Sequence, residues 1–174
     1  MSPLLKVTDL RLSLPSSNDF TEILKGISFE VFPGEIVGLI GESGSGKSQT
    51  AAAILGLLPP IHNVSGSIQL GMSDLLNANE NELRKLRGTK LSLILQDPAL
   101  ALNPLIPIGD QLIESLCFHK KIPKKEGAQI GVEWLYRVGL SNPHARMKQY
   151  PHEMSGGMKQ RILIAMALIC RPSL

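Results

Sequence analysis

The chain has 174 residues, enough to bury a sizeable core in one domain, and its 43% hydrophobic and 19% charged residues are those of a soluble globular protein. Net charge is a mild +3 with the basic residues scattered, which excludes the dense basic footprint of a nucleic-acid binder. In chain order, Leu5, Val7, Leu10, Leu12 and Leu14 alternate with mostly polar neighbours and predict a half-exposed strand. The cluster Pro15 to Asp19 predicts a turn, and Ile27 to Val31 alternates again. After Pro33-Gly34 comes the continuously apolar Ile36–Ile40, read as a buried strand, so that an antiparallel flap leads into a parallel sheet. Pro59-Pro60 ends the next helix, Gly66–Leu70 is a short strand candidate, and Asn79 reads as the N-cap of a helix to Arg87 with Glu80 and Glu82 in its first turn. Leu91–Leu95 is the next predicted strand, running into Gln96-Asp97-Pro98 and Leu102-Asn103-Pro104-Leu105.

From about Ile108 to Lys148 the pattern is helical. Ile108, Leu112, Ile113 and Leu116 form one apolar stripe; Val132, Leu135, Tyr136 and Leu140 form another. Asn142-Pro143 reads as N-cap and first residue of a short helix, and a last helix runs through Ile162–Ile169. Lys120-Lys121-Ile122-Pro123-Lys124-Lys125 is the densest basic cluster and reads as a solvated loop. Cys117 and Cys170 lie far apart without a C-x-x-C spacing and read as reduced, buried thiols of a cytosolic protein. Residues 1–14 form no apolar block of the signal type, and the longest apolar run, Ile162–Cys170, is too short to span a bilayer. A membrane role is therefore expected to be peripheral, through a partner.

The stretch the chain is organised around is Gly41-Glu42-Ser43-Gly44-Ser45-Gly46-Lys47-Ser48, followed by Gln49. Its G-x-x-x-x-G-K-S spacing lies between an apolar strand and a helix, the context a phosphate-binding loop requires. Successive N–H groups of such a loop converge into an anion nest, and the helix adds its positive dipole end. Lys47 puts a point charge on the β- and γ-phosphates, and the Ser48 hydroxyl is a hard oxygen ligand for Mg2+. A nucleoside triphosphate is the expected ligand.

A second motif separates the phosphate-loop classes. Met154-Ser155-Gly156-Gly157-Met158 resembles the L-S-G-G-Q signature of the ATP-binding-cassette ATPases. Here too a hydroxyl and free N–H groups open a helix and can face an anion. The resemblance implies ATP and Mg2+ as cofactors and a head-to-tail dimer, with ATP between Lys47 of one subunit and Ser155, Gly156 and Gly157 of the other. Gln96 is placed like the family's Q-loop glutamine. It is expected to ligate Mg2+ or position water, and to begin the loop that touches the membrane partner. Residues 41–50, 54–59, 96–98 with 102–104, and Tyr150-Pro151-His152-Glu153-Met154 through Arg161 look like the oligopeptide and dipeptide importer branch. That branch implies a second ATPase subunit (a paralogue), integral membrane permease subunits, an extracytoplasmic solute-binding protein acting indirectly, and no nucleic acid. The expected location is the cytoplasmic face of the inner membrane, peripherally bound.

The implied fold is α/β: a P-loop NTPase, RecA-like core with an N-terminal antiparallel β subdomain and a helical subdomain, the C-terminal part of the core missing. As one domain over 1–174 it divides into a β flap (1–35), P-loop core (36–96), helical subdomain with the Q-loop (97–154) and signature helix (155–174). Three departures from the family pattern stand out. Leu14 occupies the position where the family stacks adenine on an aromatic ring, with Phe20 as an alternative. Met154 replaces leucine in the signature, a volume-conserving change. Beyond Arg171-Pro172-Ser173-Leu174 the family continues with a Walker B strand ending in Asp-Glu, a D-loop and a switch histidine, which His144 and His152 do not replace. The 174 residues alone are therefore expected to show no appreciable hydrolysis. The weighed alternatives are a non-catalytic fragment with weak nucleotide binding and a cassette protein of DNA repair or translation. The scattered basic residues argue against the latter.

Overall fold

The structure, a computed structural model, describes residues 2–15 and 20–174. Residues 16–19 of the expected turn lie outside the described residues. The chain divides into two compact units, Met1–Arg84 and Lys85–Leu174.

The first unit is built on an antiparallel sheet. Strand β1 (Leu5–Pro15) pairs with β2 (Phe20–Val31) on one side and β3 (Asn63–Leu70) on the other, and β4 (Ser73–Asp74) pairs with β3. The burial pattern of β1 explains its register. Leu5 and Val7 are buried, and so are Leu10 and Leu12, so the alternation slips by one residue between the pairs. In a regular strand that slip would turn the second pair to the opposite face. A β-bulge absorbs it. Pairing steps from Val7↔Phe29 to Leu10↔Ile27 and from Thr8↔Ser67 to Arg11↔Ser65, and Asp9 between them adopts φ 44°. The Asp9 N–H donates to Ser28 Oγ (2.8 Å), and Arg11 meets the Asp9 carboxylate at 3.0 Å. Gly66 lies opposite the bulge with φ +106°, and a Cβ there would run into the Asp9 carbonyl oxygen. Two helices complete the unit's elements: α1 (Lys47–Ile54) and α2 (Glu80–Leu86), the latter crossing the unit boundary. The expected cap of α2 is present in reciprocal form. Asn79 Oδ1 accepts from the Glu82 N–H (3.1 Å), and Glu82 Oε2 accepts from the Asn79 N–H (2.9 Å).

The second unit is helical, with α3 (Pro98–Ala101), α4 (Ile108–His119), α5 (Lys124–Arg137), α6 (Pro143–Arg146), a 3-10 turn (Pro151–Glu153) and α7 (Gly156–Leu168). Ile108, Leu112, Ile113 and Leu116 are all buried, as the stripe on α4 requires. On α5 the outcome differs: Leu135 is buried but Tyr136 is 75% exposed. The buried face of α5 is instead Gly127, Gly131 and Leu135, at i, i+4 and i+8. Glycine has no apolar side chain to register in a periodicity count, yet here its bareness allows close approach. A Cβ on Gly131 would stand 3.0 Å from Ile113 Cγ2 and 2.9 Å from Met147 Cε. Asn142 is the N-cap of α6, left-handed at φ 51° without a side-chain cap bond, and Pro143 follows at the helix start. Both cysteines are free thiols, Cys170 buried and Cys117 half-buried, and burial pushes the Cys170 thiol above its ordinary pKa.

Two predicted strands are corrected. Ile36–Ile40 joins no strand ladder, and Ile36 and Ile40 are 98% and 95% exposed. Of Leu91–Leu95, only Leu91 forms a bridge, with Arg87, while Leu93, Ile94 and Leu95 are exposed. Apolar sequence favours burial, but a parallel strand also needs a neighbouring strand to take its N–H and C=O groups. Among the described residues Ile36–Ile40 joins no strand, and Leu91–Leu95 has only the start of a partner, the Ser92 N–H donating to the Leu174 carbonyl (2.8 Å) and the Leu174 N–H to that of Lys90 (2.9 Å).

The bulge gives a direct test. Gly66→Ala is expected to destabilise the protein by about 1–3 kcal/mol, because the new Cβ meets Asp9 in a backbone conformation that L residues rarely adopt. Urea denaturation of the variant beside the unmodified protein measures it, and an unchanged midpoint would show that the bulge relaxes freely.

Candidate nucleotide-binding site

In the first unit, residues 41–46 form an irregular loop that leads into α1 at Lys47. Gly46 is its N-cap, with φ 89° and ψ 6°. A Cβ on Gly46 would stand 2.5 Å from Leu24 Cδ2, so a residue without one is needed both for the left-handed turn and for the contact with β2. The Ser45 N–H donates to the Glu42 carbonyl (3.2 Å), which tightens the loop. The first helical bond runs from the Thr50 N–H to the Gly46 carbonyl (2.8 Å), and the buried Thr50 Oγ1 donates to the same oxygen (3.0 Å). The N–H groups of the first turn have no acceptor within the helix and are open to an anion.

Lys47 spans this loop. Its Nζ donates to the carbonyls of Gly41 (2.8 Å) and Glu42 (2.7 Å) and to Ser45 Oγ (3.3 Å). These three acceptors are neutral. A phosphate oxygen offers the same ammonium a charge-assisted bond, which is about twice as strong as a neutral one. Ser48 is exposed beside it, Gln49 is half-buried, and nothing lies within 4 Å of a Cβ built on Gly44. The site therefore fits a polyphosphate, with Lys47 and the first-turn N–H groups as its electropositive wall, and the exposed Ser48 hydroxyl is a group that could hold a divalent cation.

The remaining predicted residues are placed as follows. Leu14 is half-buried near the end of β1, paired with Thr21, and Phe20 is 60% exposed opposite Pro15. Gln96 lies in the second unit, exposed, at a bend two residues before α3. Ser155 is the N-cap of α7, where its Oγ accepts from the Met158 N–H (3.3 Å). Gly156 and Gly157 are exposed with open space around them, and the preceding Met154 is buried. The approach to this helix is fixed by the Tyr150 N–H donating to Glu153 Oε2 (2.8 Å) and by the Tyr150 ring stacked on His152 at 5.7 Å between centroids. His144 and His152 are exposed. The structure thus gathers Gly41–Gln49 into one loop and the helix start that follows it in the first unit, while Gln96 and Ser155–Gly157 occupy separate elements of the second. Sequence reasoning missed Thr50, whose position four residues after the capping glycine is the available signal.

A loop of this kind on this fold defines the ATP-binding cassettes. The ABC transporter family matches residues 24–174, and the chain belongs to that family. It is 45% identical over 171 residues to the oligopeptide transport ATP-binding protein OppD of Escherichia coli, covering 98% of this chain and 51% of that protein. To the dipeptide transport ATP-binding protein DppD of Bacillus subtilis it is 44% identical over 176 residues, covering 100% and 52%. The chain thus spans about half the length of the curated relatives it matches. A dimeric post-hydrolysis structure of the ATP-binding cassette MJ0796 bound to ADP and Pi superposes with a TM-score of 0.84 at 25% identity, over 97% of this chain and 70% of that one. The fold is accordingly that of the cassette ATPases, and no helix among the described residues is long and apolar enough to cross a membrane.

Ser155→Ala removes the cap of α7 and is expected to cost about 1 kcal/mol of stability in urea denaturation. Ser155→Asn, which keeps a capping oxygen, is expected to recover most of it. An unchanged midpoint in Ser155→Ala would show that the hydroxyl contributes nothing as a cap.

Proposed function

We propose that this chain is the nucleotide-binding part of an ATP-hydrolysing subunit that energises import of peptides or related small solutes. The carrying observation is the Lys47 ammonium held across a glycine-rich loop at the start of α1. The names and identities of the relatives point to peptides as the cargo class. In this reading the loop Gly41-Glu42-Ser43-Gly44-Ser45-Gly46 and the first-turn N–H groups through Gln49 cradle the phosphates. Lys47 neutralises charge that grows on the γ-phosphate during transfer, and Leu14 gives apolar contact to the base. Mg2+, when bound, would offset the charge of the phosphates, and Ser48 and Gln96 are the residues that would hold it.

Ser155, Gly156 and Gly157 complete the site of a second cassette subunit, a paralogue in a head-to-tail pair. Gly156 and Gly157 leave room for phosphate oxygens at the start of α7. The segment after Gln96 and the helical unit meet integral permease subunits, and a solute-binding protein acts through them from the other side. The subunit works peripherally at the cytoplasmic face of the inner membrane, without nucleic acid.

A second reading concerns the 174 residues alone: they bind nucleotide but do not turn it over. The exposed Ile36–Ile40 segment favours it, since that segment leads directly into the phosphate loop without a ladder to fix it.

In the full-length protein, Lys47→Ala is expected to lower ATP turnover by about 100-fold or more. Retained turnover would overturn the assignment. In the 174-residue chain, Mg-ATP at about 100 times Kd is expected to raise stability by about 2.7 kcal/mol in a thermal scan. Steady phosphate release by that chain would reject the second reading, and no thermal shift at all would count against both.

A further inference from the structure

Gln111 is a polar residue inside the buried stripe of α4, between Ile108 and Leu112, and is 7% exposed. Removed from water, its carboxamide is compensated by hydrogen bonds alone. All three of its bonds go to the main chain of one segment. Oε1 accepts from the Asn103 N–H (2.9 Å), while Nε2 donates to the carbonyls of Asn103 (2.9 Å) and Ile106 (2.7 Å). That segment has little else to hold it. Leu102 and Ile108 are buried at its two ends, but Leu105 is 83% exposed and Ile106 39% exposed. The other bonds within it are local: Leu105 N–H to Asn103 Oδ1 (3.0 Å) and Ile106 N–H to the Asn103 carbonyl (3.4 Å). An exposed apolar side chain cannot fix its own position by burial, so the backbone beneath must be fixed by polar bonds.

We infer that Gln111 is a positioning residue. It clamps residues 103–106 to α4 and thereby sets the place of Leu105 and Ile106, the apolar side chains that the segment after Gln96 offers to the membrane partner. The inference rests on the proposed function for the partner's identity, and on the three hydrogen bonds for the clamp. Gln111 is not among the residues of the proposed nucleotide site, and basal ATP turnover is expected not to depend on it.

The test uses the full-length protein with Gln111→Met, which keeps the side-chain length and removes all three bonds, and Gln111→Glu, which keeps only the acceptor when ionised. Amide hydrogen exchange is followed in segment 103–107 at Asn103, Leu105 and Ile106, since Pro104 and Pro107 carry no N–H, and, as a control, at Ile162 and Leu163 of α7. Gln111→Met is expected to speed exchange at 103–107 by about tenfold or more with α7 unchanged. ATP turnover in the absence of the permease should stay within about twofold, and its change on permease binding should shrink by about fivefold or more. Gln111→Glu should regain part of the protection as pH falls and the carboxyl becomes a donor. Unchanged exchange at 103–107 overturns the clamp. Acceleration over the whole unit reduces Gln111 to general stability and overturns it too. An intact permease response above a loosened segment overturns the positioning role. Failure of the proposed function would be visible separately, as unmodified protein without ATP turnover, and the exchange measurement would still decide the clamp.

Discussion

The approach of Gly46 to Leu24 ties the phosphate loop to the sheet of the first unit. Leu24 is buried on β2, opposite Leu12 of β1, and Gly46 turns left-handed directly against it. That turn sets where α1 begins, and the start of α1 sets where the unpaired N–H groups and Lys47 stand. Thr50 reinforces it by binding the Gly46 carbonyl twice, through its N–H and its hydroxyl. A larger residue at position 46 would have to displace Leu24 or abandon the turn, and either would disperse the electropositive groups of the loop. Packing in the sheet and electrostatics at the loop are thus coupled through one residue without a side chain.

The second unit solves a different problem. Its helices bury a continuous apolar core around Ile108, Leu112, Leu135, Ile162 and Ala165, but the connections between them carry the residues of interest. Those connections are exposed and are held by side-chain bonds to the main chain. Gln111 holds 103–106, Glu153 holds the Tyr150 N–H, and Ser155 caps α7. Each such bond is worth about 1 kcal/mol net, but leaving its partner unpaired costs more, so these few side chains specify loop geometry beyond their share of stability. The corrected segments Ile36–Ile40 and Leu93–Leu95 show the converse. They have the composition of buried strands but join no sheet among the described residues, and their side chains are exposed.

Much of this was legible in the sequence because it rests on local rules. Glycine spacing followed by Lys47-Ser48 fixed the phosphate loop; Asn79 with Glu82 fixed the start of α2; the apolar period fixed the buried face of α4; Ser155 before two glycines fixed the start of α7. Each depends on residues within about one helical turn of one another. The slip of phase between Val7 and Leu10 was also written in the sequence, although only pairing on both sides of β1 shows that a bulge absorbs it.

Tertiary structure decided whatever depends on what lies across from a residue. Apolar runs at 36–40 and 91–95 predicted strands, but a strand is defined by its neighbours, and no local pattern supplies one. Gly127 and Gly131 carry no hydrophobic signal, yet they form the face of α5 on which its neighbours pack, while Tyr136, apolar in the count, is exposed. Gln111 reads as an ordinary polar residue, and only the loop folded over it turns its carboxamide into a clamp. The sequence by itself determined the place of the glycine-rich turn into α1 and the family; the three-dimensional arrangement determined which backbone groups are paired, because hydrogen-bond partners distant in sequence are chosen by packing.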